Sequence, residues 1–481
     1  HRDLHSFPTR RSSDLLVLTN ATNPFTTYYS EILLAEGLNF FASGDISTVS
    51  EAVLGKYDVV VLGEMALTQP QVTALSNWVN QGGNLIAMRP DKSLAGLLGL
   101  TDAATTLAEG YMLVDTGAGP GVGIVGETMQ FHGTADRYTL AGASSVATLY
   151  SNASTPTANP AVTLRSVGPN GGQAAAFTYD LARSVVYTRQ GNPAWEGQER
   201  DGIPPLRSSD LFFGNAAGDP QPDWVDPDKI AIPQADEQQR LLANLIIKMN
   251  AGRQLLPRFW YFPDGHKAAI VMTGDDHGYN GTAAHFERFL DLSGTNTSVA
   301  DWRTVRSSSY LFPNTPLSDA AASAYHAAGF EIGLHCNSGC GNYTTEDIDG
   351  FFETQLQQFA ANYPSLPPPT THRMHCIAWS GYTILPEVGL LHGIRLDTTY
   401  YYWPASWVAN RIGLFTGSGM AMRFATTNGN LIDVYQAATQ MTDESGLSYP
   451  HTAEVLMDRA LGPEGYYGAF EIGRASCRER V

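Results

Sequence analysis

Short, continuous apolar runs near the N-terminus constrain the fold most strongly, because they show no alternation with polar residues. Tyr57–Gly63 is rich in β-branched residues, and Leu85–Met88 is wholly apolar. Such runs are typical of parallel strands buried on both faces. Segments with helical spacing precede them at Tyr28–Gly37 and Thr68–Val79. This alternation with short connections predicts a flavodoxin-like, doubly wound α/β domain.

The amino-acid composition changes in the remainder of the first half. Residues 111–188 are dominated by Gly, Ser, Thr and Val, which predicts a β-rich insertion in the first domain. Ala235–Met249 has the pattern of an amphipathic helix that closes this domain. An aromatic and proline-rich stretch follows. We therefore expect one domain over residues 16–255 and a second over residues 256–470.

In the second half, polar residues follow two predicted strands at the point where each strand ends. Lys267–Thr273 runs into Gly274-Asp275-Asp276, and Phe330–Leu334 is followed directly by His335. The carboxyl ends of parallel strands meet at one edge of a barrel, and catalytic groups gather there. We therefore expect these polar residues to lie close together.

Two adjacent carboxylates at a strand end face different directions, since successive side chains alternate. One of Asp275 and Asp276 could bind a metal while the other takes a proton from water, although a solvated turn explains the pair equally well. His335 could be a neutral imidazole ligand, or a packed histidine without a metal. Arg373 and His375 are two residues apart, so an extended backbone points both the same way.

Aromatic residues follow these polar groups. Asp397 precedes a run that contains Tyr402 and Trp403, and Trp379 lies just beyond His375. Aromatic side chains suit the faces of sugars, and they suit packing equally well.

The order of these motifs resembles the polysaccharide deacetylase (NodB-homology) family over about residues 257–470. The family's first motif, T-F-D-D, reads Thr273-Gly274-Asp275-Asp276 here. The resemblance implies a deformed (β/α) barrel in which Asp275 is the general base and Asp276 a metal ligand. It further implies that His335 is a ligand, that Arg373 belongs to the third motif, and that Asp397, with a nearby aromatic residue, belongs to the fourth.

The chain departs from the family pattern at three places. The second motif, H-[ST]-x-x-H, has Gly339 where its second histidine belongs, and the third, R-x-P-[YF], has His375 in place of proline. We hypothesise that His375 replaces the missing ligand. The fifth motif, L-x-H, supplies a catalytic acid in the family and should lie just beyond Phe470, where this sequence departs from the family pattern. We therefore expect weak or absent turnover even if a metal binds.

Composition limits the partners. The formal charge of -18 argues against nucleic acid and against anionic lipid surfaces. No apolar run approaches the length of a membrane span.

Three cysteines lie in the predicted site region: Cys336, Cys340 and Cys376. They leave three alternatives open: a disulfide such as Cys340 to Cys376, a structural zinc site or free thiols. Family resemblance and these cysteines predict a periplasmic or extracellular location.

The first domain resembles the class I glutamine amidotransferase-like superfamily, on the basis of Tyr57–Glu64, Leu67–Val72 and Trp78–Leu85. Active members use a cysteine nucleophile, and residues 16–335 contain no cysteine. Cysteine-dependent glutamine hydrolysis is therefore excluded, and a sensing, docking or substrate-presenting module remains. Residues 1–15 and 471–481 resemble translated sequencing-adapter sequence and are expected to be foreign tails.

The favoured function is removal of acyl (acetyl) groups from a carbohydrate by a hydrolase that uses a divalent metal, Zn²⁺ by expectation. Asp275, Arg373 and Asp397 would be catalytic, Asp276, His335 and His375 would bind the metal, and Trp379, Tyr402 and Trp403 would bind substrate. One alternative is a carbohydrate-binding or scaffold protein that keeps the barrel without turnover. A second is a metallohydrolase of non-carbohydrate C–N bonds. The sequence leaves the oligomeric state open.

Overall fold

The computed structural model describes residues 14–474, except 215–222, 254–255, 280, 295–297, 301, 303, 402–412, 443–455 and 463–467. The described residues fall into two compact units. Unit 1 draws on His1–Val185, Glu237–Phe259 and Asn428–Asn430, and unit 2 on Val186–Asp236, Trp260–Thr427 and Leu431–Val481. Unlike the predicted boundary at residue 255, this grouping places residues 186–236 in unit 2 and residues 256–259 and 428–430 in unit 1.

Unit 1 is built on a nine-stranded mixed sheet with the order β2-β1-β3-β4-β11-β10-β9-β6-β7, beside a two-stranded sheet of β5 and β8. The first five strands in this order are parallel, and the other four are antiparallel. The strands are β1 (Leu15–Thr19), β2 (Ala42–Asp45), β3 (Val59–Leu62), β4 (Asn84–Met88), β5 (Leu100–Ala108), β6 (Tyr111–Val114), β7 (Met129–Gln130), β8 (Thr134–Leu140), β9 (Ser144–Asn152), β10 (Thr155–Val167) and β11 (Gly172–Phe177).

Short helices follow the first four strands of unit 1. They are α1 (Phe25–Ala35), α2 (Glu51–Leu54), α3 (Gln69–Asn80) and α4 (Ala95–Leu98). Two further helices, α5 (Leu181–Gln190) and α6 (Gln234–Met249), carry the chain from one unit to the other. The predicted mixed α/β architecture with parallel strands is therefore confirmed.

The α3–β4 turn shows how the sequence fixes this packing. Thr68 begins the helix, and its backbone N–H donates to Gln71 Oε1 at 2.8 Å. At the other end, the indole of Trp78 covers Gly83 so closely that a Cβ there would lie 2.2 Å from Trp78 Cε2. A glycine is therefore required at position 83 for the helix to pack its tryptophan against the strand.

Unit 2 contains a nine-stranded sheet with the order β17-β18-β16-β15-β14-β13-β12-β20-β19. All neighbours are parallel except β17 and β18. The strands are β12 (Ala268–Asp276), β13 (Ser307–Leu311), β14 (Glu331–Cys336), β15 (Thr371–Met374), β16 (Leu396–Asp397), β17 (Met422–Ala425), β18 (Leu431–Gln436), β19 (Thr439–Thr442) and β20 (Gly468–Arg474). The helices are α7 (Gly281–Ser293), α8 (Asp319–Ala327), α9 (Thr345–Asn362) and α10 (Ile384–Leu391).

Strand β20 extends into the segment predicted to be a foreign tail. Its backbone pairs with β12 from Gly468 opposite Ala268 to Arg474 opposite Gly274. Among the described residues of both units, no helix is long and apolar enough to cross a membrane.

The register of unit 2 places the polar strand residues on two opposite faces. One row across five strands contains Asp276, Leu311, Leu334, His372 and Asp397. Successive side chains of a strand alternate between faces. Asp275, Arg373 and His335 therefore lie on the face opposite to this row.

The row of Asp276 faces the helices. Leu311 and Leu334 belong to a core cluster that also contains Ile348 and Phe352 of α9. The ring centroid of Phe352 lies 5.2 Å from that of His372. Polar residues of the opposite face are thus left to form a separate cluster.

We expect Leu334→Ala to lower the free energy of unfolding by about 2–5 kcal/mol, since it deletes a fully buried side chain and leaves a cavity. Leu334 is 0% exposed, whereas Leu391 is 80% exposed and serves as the matched control in the same unit. Urea unfolding followed by circular dichroism measures both variants. Equal effects of the two substitutions would contradict the assigned face of β14.

Candidate metal centre

Three histidines converge at the carboxyl ends of neighbouring strands in unit 2. His277 follows β12, His335 lies within β14, and His375 follows β15. His335 Nε2 lies 3.1 Å from His277 Nε2 and 3.2 Å from His375 Nδ1. Among the described residues, these three ring nitrogens form a group that could hold one metal ion, with all separations within 4.8 Å.

Two of the three nitrogen–nitrogen separations fit a tetrahedral cation. Two nitrogens that each lie about 2.05 Å from one Zn²⁺ at a tetrahedral angle are about 3.3 Å apart. The observed separations of 3.1 and 3.2 Å are close to this value. Three protein ligands with an open position are the usual arrangement at catalytic zinc sites.

The tautomer of His335 is fixed by its second nitrogen. His335 Nδ1 lies 3.0 Å from the carbonyl oxygen of Arg373. A carbonyl oxygen only accepts, so Nδ1 carries the proton and Nε2 presents a lone pair to the other two rings. A backbone acceptor behind a histidine is the usual way in which proteins orient a metal ligand.

Burial keeps the three imidazoles neutral. It lowers the pKa of His335 well below the ordinary value, and the neighbouring His277 and His375 lower it further. Desolvation also lowers the pKa of His277, against the opposing effect of Asp276. It lowers the pKa of His375 to about 4, with a further contribution from His277. The neutral form is the one that ligates metals.

A buried arginine–aspartate pair lies beside the histidines on the same face. Arg373 Nη1 donates to Asp275 Oδ1 at 3.2 Å, and Asp275 Oδ1 is 3.9 Å from His335 Nδ1. Three further acceptors orient the guanidinium: the hydroxyls of Thr273 and Thr439 and the carbonyl of Thr398. The structure thus brings together four predicted site residues: Asp275, His335, Arg373 and His375.

Asp276, a predicted metal ligand, is not brought into this cluster by the structure. Its Oδ1 accepts from the backbone N–H groups of Gly278 and Tyr279, each at 3.0 Å. Its Oδ2 accepts from the backbone N–H and the hydroxyl of Thr282, at 3.0 and 2.9 Å. The side chain faces the helices and anchors the start of α7, because an odd step along β12 separates it from Asp275.

Asp397, a predicted catalytic residue, is also on the helix side. Its Oδ2 lies 2.8 Å from His372 Nε2 and accepts from the Thr399 hydroxyl, and its Oδ1 accepts from the Thr399 backbone. Both Asp397 and His372 are 0% exposed. This buried polar pair links β15 to β16 on the face away from the three histidines.

Trp379, a predicted substrate-binding residue, is a core residue. It is 3% exposed, and its ring packs against Tyr400 and Phe424 at centroid distances of 4.8 and 5.7 Å. The other two predicted substrate-binding residues, Tyr402 and Trp403, lie outside the described residues.

His277 is the ligand candidate that the sequence analysis missed. It lies two residues after Asp275, so the alternation that places Asp275 on one face returns His277 to that face. The ring of Phe312 packs against all three histidines, with centroid distances of 5.2 Å to His277, 5.2 Å to His335 and 5.0 Å to His375. Phe312 therefore forms an apolar wall of the cluster.

A disulfide between Cys340 and Cys376 lies next to His375. Of the alternatives left open by the sequence, the structure has the disulfide. The same two sulfur atoms lie with His375 in a group close enough to hold a metal ion, which would require the two thiols to be reduced. Cys336 is the free cysteine among the described residues, and burial raises its pKa to about 12. The crosslink ties the loop after β14 to the segment that presents His375.

The known proteins that match this chain resemble it only weakly. No protein-family model and no curated protein matches the chain. A β-galactosidase from Bacillus circulans sp. alkalophilus is 13% identical with a TM-score of 0.29, and the match covers 36% of this chain and 29% of that chain. A protein assigned as a polysaccharide deacetylase from Mycobacterium smegmatis is 13% identical with a TM-score of 0.29, covering 44% of this chain and 78% of that chain. An exo-β-1,4-mannosidase from Opitutaceae bacterium strain TAV5 has 17% identity and a TM-score of 0.27, covering 36% and 32%.

The chain thus spans less than a third of the length of these two glycosidases. All three TM-scores are too low to assign a fold to the whole chain.

We expect His277→Ala to weaken Zn²⁺ binding at least about 100-fold, because it removes one of three converging ligands. Titration of the chelator-stripped protein with Zn²⁺ against a competing dye measures the affinity. Asp276→Asn should retain Zn²⁺ affinity within a few-fold while lowering stability, since Asp276 faces the helices.

His326→Ala is the matched control, because His326 is an exposed histidine of the same unit. Loss of Zn²⁺ from Asp276→Asn together with retention in His277→Ala would restore the original ligand assignment.

Zn²⁺ affinity should change by less than about twofold between pH 7.5 and 6.5. Three imidazoles of ordinary pKa, about 6.5, would lose about sixfold over this range, because each would become half protonated. The lowered pKa values keep the histidines neutral as the pH falls through 6.5. The same dye competition at both pH values gives the ratio, and a sixfold loss would show that the rings titrate normally.

Proposed function

We propose that the protein is a metal-dependent hydrolase that removes acyl groups, such as acetyl, from a carbohydrate. The observation that carries the proposal is the convergence of His277, His335 and His375 beside the buried carboxylate of Asp275. Three neutral nitrogens and one fixed carboxylate are the components that hydrolysis of an amide or ester requires.

In this proposal His277, His335 and His375 hold a divalent cation, with Zn²⁺ as the favoured identity. Imidazole ligands suit zinc, whereas magnesium and calcium prefer oxygen ligands. A cation bound there supplies Lewis-acid polarisation of a carbonyl group and acidification of water.

Asp275 is the proposed general base, which takes the proton from the attacking water. Its position is set by Arg373, whose guanidinium is itself held by Thr273, Thr398 and Thr439. Arg373 is thus a positioning residue that aims Asp275 at the region in front of the three histidines. Phe312 would exclude water from one side of this region.

The carbohydrate part of the proposal rests on the order of motifs in the sequence, which also supports a deformed (β/α) barrel for unit 2. The amidotransferase-like, flavodoxin-like fold proposed for unit 1 rests on the resemblance of Tyr57–Glu64, Leu67–Val72 and Trp78–Leu85. The motif order is similar to that of the polysaccharide deacetylases. The Cys340–Cys376 disulfide is compatible with an oxidising compartment, so we propose a periplasmic or extracellular location. Hydrolysis of non-carbohydrate C–N bonds uses the same groups and is separated by substrate profiling.

We expect Asp275→Asn to lower acetate release from N- and O-acetylated oligosaccharides by about 10²–10⁴-fold, the range typical of a lost general base. The parent protein is loaded with one equivalent of Zn²⁺, and released acetate is quantified enzymatically. Zn²⁺ affinity of the variant should stay within a few-fold of the parent, because Asp275 is not one of the converging ligands.

Asp433→Asn is the control, since Asp433 makes an exposed ion pair with Arg395 in the same unit. Acetate release that is measurable in the Zn²⁺-loaded parent and unchanged in Asp275→Asn would reject the proposed role of Asp275. Zn²⁺ binding without turnover would instead favour the binding or scaffold alternative.

A further inference from the structure

Unit 1 contains a cavity of its own at the carboxyl edge of its parallel strands. The cavity has a volume of about 530 Å³. It is lined by residues that follow β1, β3 and β4, among them Asn23, Glu64 and Arg89. Small-molecule sites typically have volumes of about 300–1,000 Å³. The size is therefore that of a small-ligand site.

The position within the topology supports this interpretation. From β1 the chain passes to β2 on one side, and then crosses to β3 on the other side of β1. In open α/β sheets, ligands bind in the crevice at such a reversal, outside the carboxyl ends of the strands. The loops after β1 and β3 both line the cavity.

The lining is polar and balanced in charge. Its basic residues are Arg89, Lys92 and Arg183, and its acidic residues are Glu64, Asp91 and Asp136. Arg89 bridges Glu64 at 2.8 Å and Asp136 at 3.2 Å. Lys92 also contacts Asp136, at 3.0 Å. A fixed set of donors and acceptors therefore surrounds the cavity without an excess of either charge.

The backbone at Arg89 is strained. Its φ of 35° lies in the left-handed region, which a long side chain rarely adopts. The Arg89 backbone N–H continues the sheet by donating to the Phe177 carbonyl at 2.8 Å. Strain of this kind persists where the surroundings determine the conformation, and it clusters at ligand sites. This backbone conformation places the Arg89 guanidinium between Glu64 and Asp136.

We propose that this cavity binds a neutral, polyhydroxylated ligand of the size of a mono- or disaccharide. A ligand carboxylate would compete with Glu64 and Asp136 for Arg89, and a ligand ammonium would compete with Arg89 for the same carboxylates. Hydroxyl groups donate and accept at once, so they add to charged partners without separating them. Met65 and Pro90 supply a small apolar wall for the C–H face of a sugar ring.

The site is independent of the proposed hydrolase function, because all of its residues belong to unit 1. The test is isothermal titration calorimetry of the full chain in EDTA. The neutral probes are N-acetylglucosamine, galactose and cellobiose, and the charged probes are glucuronate, glucosamine and glycine. We expect saturable binding of at least one neutral sugar, and weaker or no binding of the charged probes.

Glu64→Gln should weaken this binding about tenfold or more, because it removes a charged acceptor and releases Arg89. Glu51→Gln is the matched control, since Glu51 is an exposed glutamate of unit 1 outside the cavity. His335→Ala should bind the sugar as the parent does. If Glu64→Gln does not fold, Lys92→Met replaces it, because the Lys92 side chain is 46% exposed.

Three outcomes would overturn the proposal: no binding of any neutral sugar, equal or tighter binding of a charged probe, or equal affinity in the parent and the cavity variants. Loss of sugar binding in His335→Ala would assign the binding to unit 2 instead. Failure of acetate release would leave this result untouched, so the two proposals are tested separately.

Discussion

The site in unit 2 depends on the strict alternation of side chains along parallel strands. One step along β12 separates Asp275, which reaches Arg373, from Asp276, which anchors α7. The same step along β15 separates Arg373 from His372, which lies against Phe352 of α9. The polar residues at these strand ends therefore have two roles on the two faces of the sheet. Those on one face join strands to helices, and those on the other face form the histidine cluster.

Sequence reasoning recovered the architecture because buried parallel strands and their helices leave strong local patterns. Leu15–Thr19, Val59–Leu62 and Asn84–Met88 are the strands expected from their apolar runs. It also brought Asp275, His335, Arg373 and His375 together, since each lies at the carboxyl end of a strand. The pairing of Cys340 with Cys376 was one of three open alternatives, because spacing alone does not decide whether two thiols meet.

Three predicted site residues lie outside the histidine cluster, for two different reasons. The role predicted for Asp276 came from the motif resemblance, which does not specify the face of β12 on which its side chain lies. Asp275 and His277 are two residues apart, as Arg373 and His375 are. The alternation of side chains along a strand therefore indicates His277, rather than Asp276, as the ligand on the face of Asp275. Asp397 and Trp379 could not be placed by any local pattern. The register across β15 and β16 places Asp397 on the helix side, and the rings of Tyr400 and Phe424 bury Trp379.

The composition of the cluster has a consequence for the choice of metal. Three neutral imidazoles contribute no charge, and the charges of Asp275 and Arg373 cancel at 3.2 Å. This face therefore offers a cation little electrostatic attraction beyond the lone pairs of three nitrogens. Hard cations such as Mg²⁺ and Ca²⁺ bind through carboxylate and carbonyl oxygens, so they gain little here. The Zn²⁺ proposed for this site would therefore bind through geometry and ligand type rather than through charge.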